Sequence, residues 1–133
     1  MKKPRTADYG LLALTYLALQ EGRVCYRNEI ARRFRISKAM LAKILQRLRR
    51  GGILRSHVGV RGGYSLARPA ESISLAEVLA ALGVELRMPR LIHPGQRGAQ
   101  GVLPGRVSAG LRKVRKDVHR LFSDVSIADL VQE

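Results

Sequence analysis

Apolar residues recur along this chain first at helical spacing, then in short runs, and finally in a heptad, and each pattern predicts a different element. Over residues 7–19, Leu11, Leu14 and Ala18 line one side and Leu12, Tyr16 and Leu19 another. A helix buried on more than one face is expected, stopped at Gly22. Residues 28–34 predict a short helix with Ile30, Ala31 and Phe34 inward and Arg32, Arg33 and Arg35 at or beyond its outer side. Ser37 is a favoured N-cap, because its hydroxyl can accept from the free amides of the next turn. The helix it opens, over 38–50, places Leu41, Ile44, Leu45 and Leu48 on one face and Lys38, Ala39, Lys43, Arg47 and Arg50 elsewhere, and closes at Gly51-Gly52. Two short strands follow, over 53–58 and 64–67, joined by Gly59-Val60-Arg61-Gly62-Gly63. Ser74-Leu75-Ala76-Glu77 has capping-box spacing and opens a fourth helix through about Leu82.

Beyond it the pattern changes. Residues 87–106 mix Pro, Gly, Arg, Gln and His without usable period and read as a flexible loop or linker. Val107, Leu111, Val114, Val118, Leu121 and Val125 then alternate in steps of four and three, the spacing of a and d positions in a heptad. A monomer needs that stripe against its own core, whereas a dimer can pair it with the same helix of a partner. Dimerisation is the favoured reading, because the first part of the chain already has apolar faces of its own. Ser126-Ile127-Ala128-Asp129 repeats the capping spacing before a short terminal helix. The organisation expected is a domain over 1–86, the linker over 87–106, and the dimerisation and terminal helices over 107–133.

Two amphipathic helices with a tight connection, the second with a basic outer face, followed by a glycine-rich hairpin, describe a major-groove reader with a wing. The fold class is therefore mainly α, a winged helix-turn-helix domain with a two-stranded wing and a long C-terminal helix. Charge strengthens the case. Twenty-five Lys and Arg against ten Asp and Glu leave a net charge of +15, of which residues 1–68 carry +13 and residues 69–133 only +2. A polyanionic partner for the first half follows.

Other classes find less support. The most apolar stretch, residues 10–19, is too short to span a bilayer, and the N-terminus lacks the hydrophobic run of a signal peptide. The single cysteine, Cys25, cannot form an internal disulfide, which suits the cytoplasm. His57, His93 and His119 have no spacing with Cys25 or with the acidic residues that suggests catalysis or a metal site, so neither an enzyme nor a cofactor is expected. His57 reads as a strand residue beside the wing, His119 as a solvent-facing residue, and Cys25 as a small buried one.

Asp8-Tyr9-Gly10-Leu11, Glu29-Ile30-Ala31, Ile36-Ser37 with Leu41, Leu45 and Leu48, Gly51-Gly52-Ile53-Leu54, Gly62-Gly63-Tyr64-Ser65-Leu66-Ala67-Arg68-Pro69 and Ile73-Ser74-Leu75 together carry a resemblance. The chain resembles the Rrf2 family of bacterial winged-helix transcriptional regulators, densely over residues 6–83 and more loosely over 111–131. The resemblance implies a homodimer, with its long helix crossing the partner, on a roughly palindromic promoter site, usually to repress. Cluster-binding members place three cysteines in the region corresponding to 88–106, where this chain has none, so no iron-sulfur cluster is expected. Some members carry an acidic side chain at the position of Ala42 and an Arg at that of Val58, so the target sequence is expected to differ. The N-terminal part of a recognition helix reaches base edges, which nominates Ser37, Lys38, Ala39, Met40 and Lys43, with Met40 alternatively core. Lys3, Arg5, Arg32, Arg47, Arg49 and Arg50 are expected phosphate contacts. In the wing, Arg61 with Gly62 and Gly63 approaches the minor groove or the backbone, and Tyr64 braces it. The partners expected are double-stranded DNA, a second copy, and an unidentified regulatory protein or small-molecule effector sensed at 88–106 or between subunits. The alternative is a basic structural or RNA-associated protein.

Overall fold

The computed structural model describes residues 6–60, 62–84 and 105–132. Helix α1 (Thr6–Leu19) is followed by a short strand β1 (Cys25–Tyr26), helices α2 (Arg27–Phe34) and α3 (Lys38–Arg50), and a hairpin of β2 (Leu54–His57) and β3 (Gly63–Leu66). A single 3-10 turn (Ala70–Ser72) leads to α4 (Leu75–Ala81), and α5 (Gly105–Asp124) and α6 (Ile127–Val131) complete the chain. The architecture is mainly α with a small antiparallel sheet, as the pattern predicts.

The stripe of α3 decides where the core lies. Leu41, Ile44, Leu45 and Leu48 are all buried and meet Leu14 and Leu17 of α1, Ile30 of α2, and Val78 and Leu82 at α4. Burying one such aliphatic side chain is worth about 1.5–3 kcal/mol, so this cluster dominates the stability of the domain. Helix α1 approaches α4 closely at Gly10, where an added Cβ would stand 2.5 Å from Leu82 Cδ1.

Three features depart from expectation. The wing hairpin belongs to a three-stranded sheet of order β1-β3-β2, with Cys25 opposite Tyr64 and Tyr26 opposite Gly63. A two-residue strand has no period of its own, which is why the pattern does not reveal it. Helix α1 leaves part of its second apolar side uncovered: Leu12 and Leu19 remain 40% and 62% exposed, while Tyr16 between them packs against the core. Helix α6, expected to belong with the dimerisation helix, inserts Ile127 into the core and is tied to residues 73–75. The Leu75 amide donates to the Val125 carbonyl at 2.8 Å and the Ile127 amide to the Ile73 carbonyl at 2.9 Å. Ser74 and Ser126, facing each other across this bridge, each cap a helix through a capping box completed by Glu77 and Asp129. The C-terminal end of α5 is thereby fixed to the domain.

Helix α5 begins at Gly105, slightly earlier than Val107. Of the heptad residues, Leu111 and Val118 are half-buried, while Val114 and Leu121 are 43% and 66% exposed. Val125 lies past the helix end in the bridge to α6. The side chain of Val107 and most of the expected linker lie outside the described residues.

Candidate nucleic-acid interface

The turn between α2 and α3 is set by Arg35, Ile36 and Ser37. Arg35 adopts a left-handed conformation (φ 54°), and its amide and that of Ile36 both donate to the Ala31 carbonyl at the end of α2. Ile36 is drawn into the core at 5% exposure, and the Ser37 hydroxyl accepts from the Met40 amide at 3.2 Å. A buried apolar residue between a left-handed cap and an N-cap leaves the chain one way to reverse, and α3 emerges against α2 with its polar face outward.

At 100° per residue, the direction opposite the buried stripe of α3 passes through Ala39, Lys43, Gln46 and Arg50, and all four are exposed. Gln46 was missing from the residues nominated by sequence, although the same period marks it. Ser37 and Lys38 are exposed at the helix start, while Met40 is partly buried against the core. Arg32 and Arg49 are exposed. Arg47 is engaged elsewhere: its Nη1 donates to the Leu82 carbonyl at 3.2 Å, at the C-terminal end of α4. Lys3, Arg5 and Arg61 lie outside the described residues.

The wing pairs with β1 beside the start of α2. Val58 and Val60 at its tip are fully exposed, and His57 Nε2 and Ser65 Oγ, 2.8 Å apart, hold its two strands together just below the loop. Tyr64 is half-buried against the core. Gly63 sits where β3 crosses β1, and an added Cβ there would be 2.5 Å from Val24 Cγ1 and 3.1 Å from the Cys25 carbonyl. Leaving the wing, Arg68 donates to the Ser72 carbonyl at 3.1 Å and to Glu77 at 2.8 Å. Glu77 accepts from the Ser74 amide at 2.9 Å; that bond, with Arg68 nearby, outweighs desolvation and lowers its carboxyl pKa.

Arg27, which the sequence analysis does not nominate, and Lys38, which it does, flank a cleft between α2 and α3. Arg27 and Asn28 from the first turn of α2 face Lys38 from the first turn of α3 across a floor of Ala31 and Leu41, enclosing about 190 Å³. The Arg27 guanidinium also reaches Gly62 of the wing, with Nη2 3.5 Å from where a Cβ would stand.

Behind the interface, Glu29 locks α2 to α1 and β1. Its carboxylate accepts from the Tyr26 amide at 2.8 Å, the Tyr16 hydroxyl at 2.8 Å, and Arg23 Nη2 at 3.0 Å. Burial alone would raise its pKa, but the bonds from Arg23, Tyr26 and Tyr16 prevail and lower it. The same contact raises the pKa of Tyr16, chiefly because its hydroxyl donates to the carboxylate. Tyr16 also packs edge-on against Phe34, ring centres 5.8 Å apart.

A recognition helix with a polar, cationic outer face, held by a second helix and flanked by a glycine-rich hairpin, defines a winged helix-turn-helix protein. A family model described as Rrf2, iron-dependent transcriptional regulator, matches residues 4–133, and the chain belongs to this family of DNA-binding transcriptional regulators. It is 29% identical over 127 residues to a protein of Aquifex aeolicus (strain VF5) named as an HTH-type transcriptional regulator, covering 95% of this chain and 88% of that one. It is 30% identical over 132 residues to protein aau3 of Rhizobium meliloti (strain 1021), covering 99% and 86%. A solved structure from Listeria innocua, named as a transcriptional regulator, superposes with a TM-score of 0.77 at 23% identity, covering 98% and 86%.

The residues present do not fit the iron chemistry that the family description names. The chain holds one cysteine, and Cys25 is buried with its thiol donating to the Arg23 carbonyl at 3.6 Å. Burial, reinforced by the charge of Glu29, raises its pKa, the reverse of what a thiolate ligand requires. Among the described residues, no group of three or more His, Cys, Asp or Glu side chains could hold a metal ion, and no helix is long and apolar enough to cross a membrane.

Proposed function

We propose that this protein is a cytoplasmic repressor that binds a palindromic promoter site as a homodimer and works without an iron-sulfur cluster. The observation that carries the reading is the outward stripe of α3, where Ala39, Lys43, Gln46 and Arg50 stand exposed. A side chain of this kind at each turn gives a small apolar contact for a thymine methyl at Ala39, donors for guanine at Lys43 and an amide suited to adenine at Gln46. Arg50, together with Arg32, Arg49 and the wing, supplies phosphate contacts that fix register without encoding sequence. Support for the dimer comes from α5, where Val114 and Leu121 present apolar surface to solvent. Two copies related by a two-fold axis place two recognition helices on two half-sites, and the site then repeats the protein's symmetry. With one cysteine in the chain, the signal falls to a regulatory protein or a small molecule.

Selection of bound sites from random duplexes tests the whole reading: one inverted-repeat sequence should be recovered. In competition binding at fixed salt, Lys43→Ala should change the ranking of operator variants, whereas Arg50→Ala should weaken all of them by a similar factor. Recovery of no consensus, or equal binding to single-stranded RNA, refutes sequence-specific regulation. Leu121→Asp should shift the protein to a monomer in sedimentation; an unchanged mass would remove α5 as the dimer helix.

A further inference from the structure

We propose that the outer face of α5 is a docking surface for an acidic segment of a second protein, held by a row of cations formed by Arg112, Lys116 and Arg120 with Lys113 beside it. The proposal rests on the regulatory reading above, which leaves the signal to a partner, and deepens it by giving that partner's chemistry. Within residues 112–120 five Lys and Arg stand against one carboxylate, Asp117. At 100° per residue, Arg112, Lys116 and Arg120 follow one another along the side of α5 opposite its apolar stripe. Asp117 and Asp124 fall off the row, next to the stripe. The four cations are all exposed, and none of them forms an ion pair among the described residues. Like charges four residues apart destabilise a helix, and carboxylates laid along the row relieve that repulsion.

Position and chemistry identify the occupant. Helix α5 packs against α4, whose Val78 meets the buried stripe of α3. It therefore joins the domain on the side toward which that buried stripe faces, and a duplex on the outward stripe of α3 lies away from the row. Pairing of two copies through the apolar stripe of α5 also leaves the row uncovered, because the two lie on opposite sides of one helix. The row consists of cations alone: it has no apolar side chain to enter a bilayer and no aromatic ring on which a base could stack. An acidic helix matches it, since side chains four residues apart recur about every 6 Å along the axis of both helices. Each guanidinium or ammonium then meets one carboxylate.

The test adds a fluorescent synthetic helical peptide of about 20 residues, with Glu at every fourth position, to the full-length protein saturated with its selected operator. Low salt keeps surface charges weakly screened, and the bound duplex occupies the cations of the DNA-reading face. The peptide should bind without releasing the duplex. Replacing Arg112, Lys116 and Arg120 together with Gln should weaken the peptide about tenfold, as expected for three exposed ion pairs lost at once. Operator affinity should stay unchanged, and Tm should be unchanged or slightly raised, which excludes unfolding as the cause. Arg50→Gln, on the outward stripe of α3, should do the reverse, weakening the operator and sparing the peptide. Release of the duplex by the peptide, or equal peptide binding by the triple variant, overturns the docking surface while leaving the regulator intact. So does tighter binding of single-stranded RNA or anionic vesicles to the same face. Selection of no operator overturns the regulatory reading alone, and the peptide is then compared on free wild type and free triple variant, with equal affinities overturning the docking surface as well.

Discussion

Replacing Glu29 with Ala should lower the stability of the whole domain by about 2–3 kcal/mol, although the side chain is not part of the apolar core. The magnitude follows from what its carboxylate holds. The bond from the Tyr26 amide satisfies a backbone donor at the start of α2, and losing a hydrogen bond to a charged acceptor there costs about 1 kcal/mol. The Tyr16 hydroxyl, half-buried beside Phe34, would lose a charged acceptor at 2.8 Å, which adds about 1–2 kcal/mol. The pair with Arg23 adds little, because that side chain is half exposed to solvent. For a chain of this size the sum corresponds to a fall in Tm of roughly 6–12 °C, readable by circular dichroism. The dependence on pH gives a sharper check. The folded pKa of Glu29 is lowered from its ordinary value near 4.5, so the folded state binds fewer protons than the unfolded chain around that pH. Its contribution is therefore complete above the ordinary value and is lost as the pH falls through the folded value. The difference in Tm between wild type and Glu29→Gln should be constant from pH 8 to about pH 5 and should narrow below it. A difference that does not change between pH 7 and pH 3.5, or an Ala variant that melts within a degree of wild type, would refute the reasoning.

Two further substitutions probe how the elements are joined. Ile127→Ala removes a fully buried side chain of α6 from the core shared with α1 and α3 and should cost about 2–4 kcal/mol, in one cooperative transition; an unaffected main transition would mean that α6 is peripheral. Gly63→Val places a branched side chain against Val24 and the Cys25 carbonyl, so the β1–β3 pairing should open and DNA affinity should fall with stability by about 1–3 kcal/mol. Wild-type melting together with wild-type binding would show that the crossing has more room than its distances imply.

The interface was legible in the sequence where local order suffices. Helix α3 runs over the residues its period marks, because four buried aliphatics at helical spacing, a serine cap and a glycine stop all act within a dozen residues. The same period contains Gln46, an uncharged side chain set among the cations Lys43, Arg47 and Arg50. Arg47 shows the limit more clearly. On a helical wheel it is a surface cation, and only the arrival of α4 turns its guanidinium to the Leu82 carbonyl, 35 residues away in sequence.

By itself, the sequence determined the order of the helices, the extent of α3, the caps at Ser37, Ser74 and Ser126, the basic outer face, and the lack of a cysteine set for a cluster. These are properties of composition, or of neighbours within one or two helical turns, and short-range sterics and hydrogen bonding fix them before the chain has a shape. The tertiary structure decided which surfaces meet. It placed β1 beside β3, left Leu12 and Leu19 uncovered on α1, drew Ile127 into the core, and brought Arg27 between Lys38 and the wing. The pairing of β1 with β3, the insertion of Ile127 and the approach of Arg27 to the wing join segments far apart along the chain. No local period encodes them, because they depend on how the buried faces of all the helices fill one volume together.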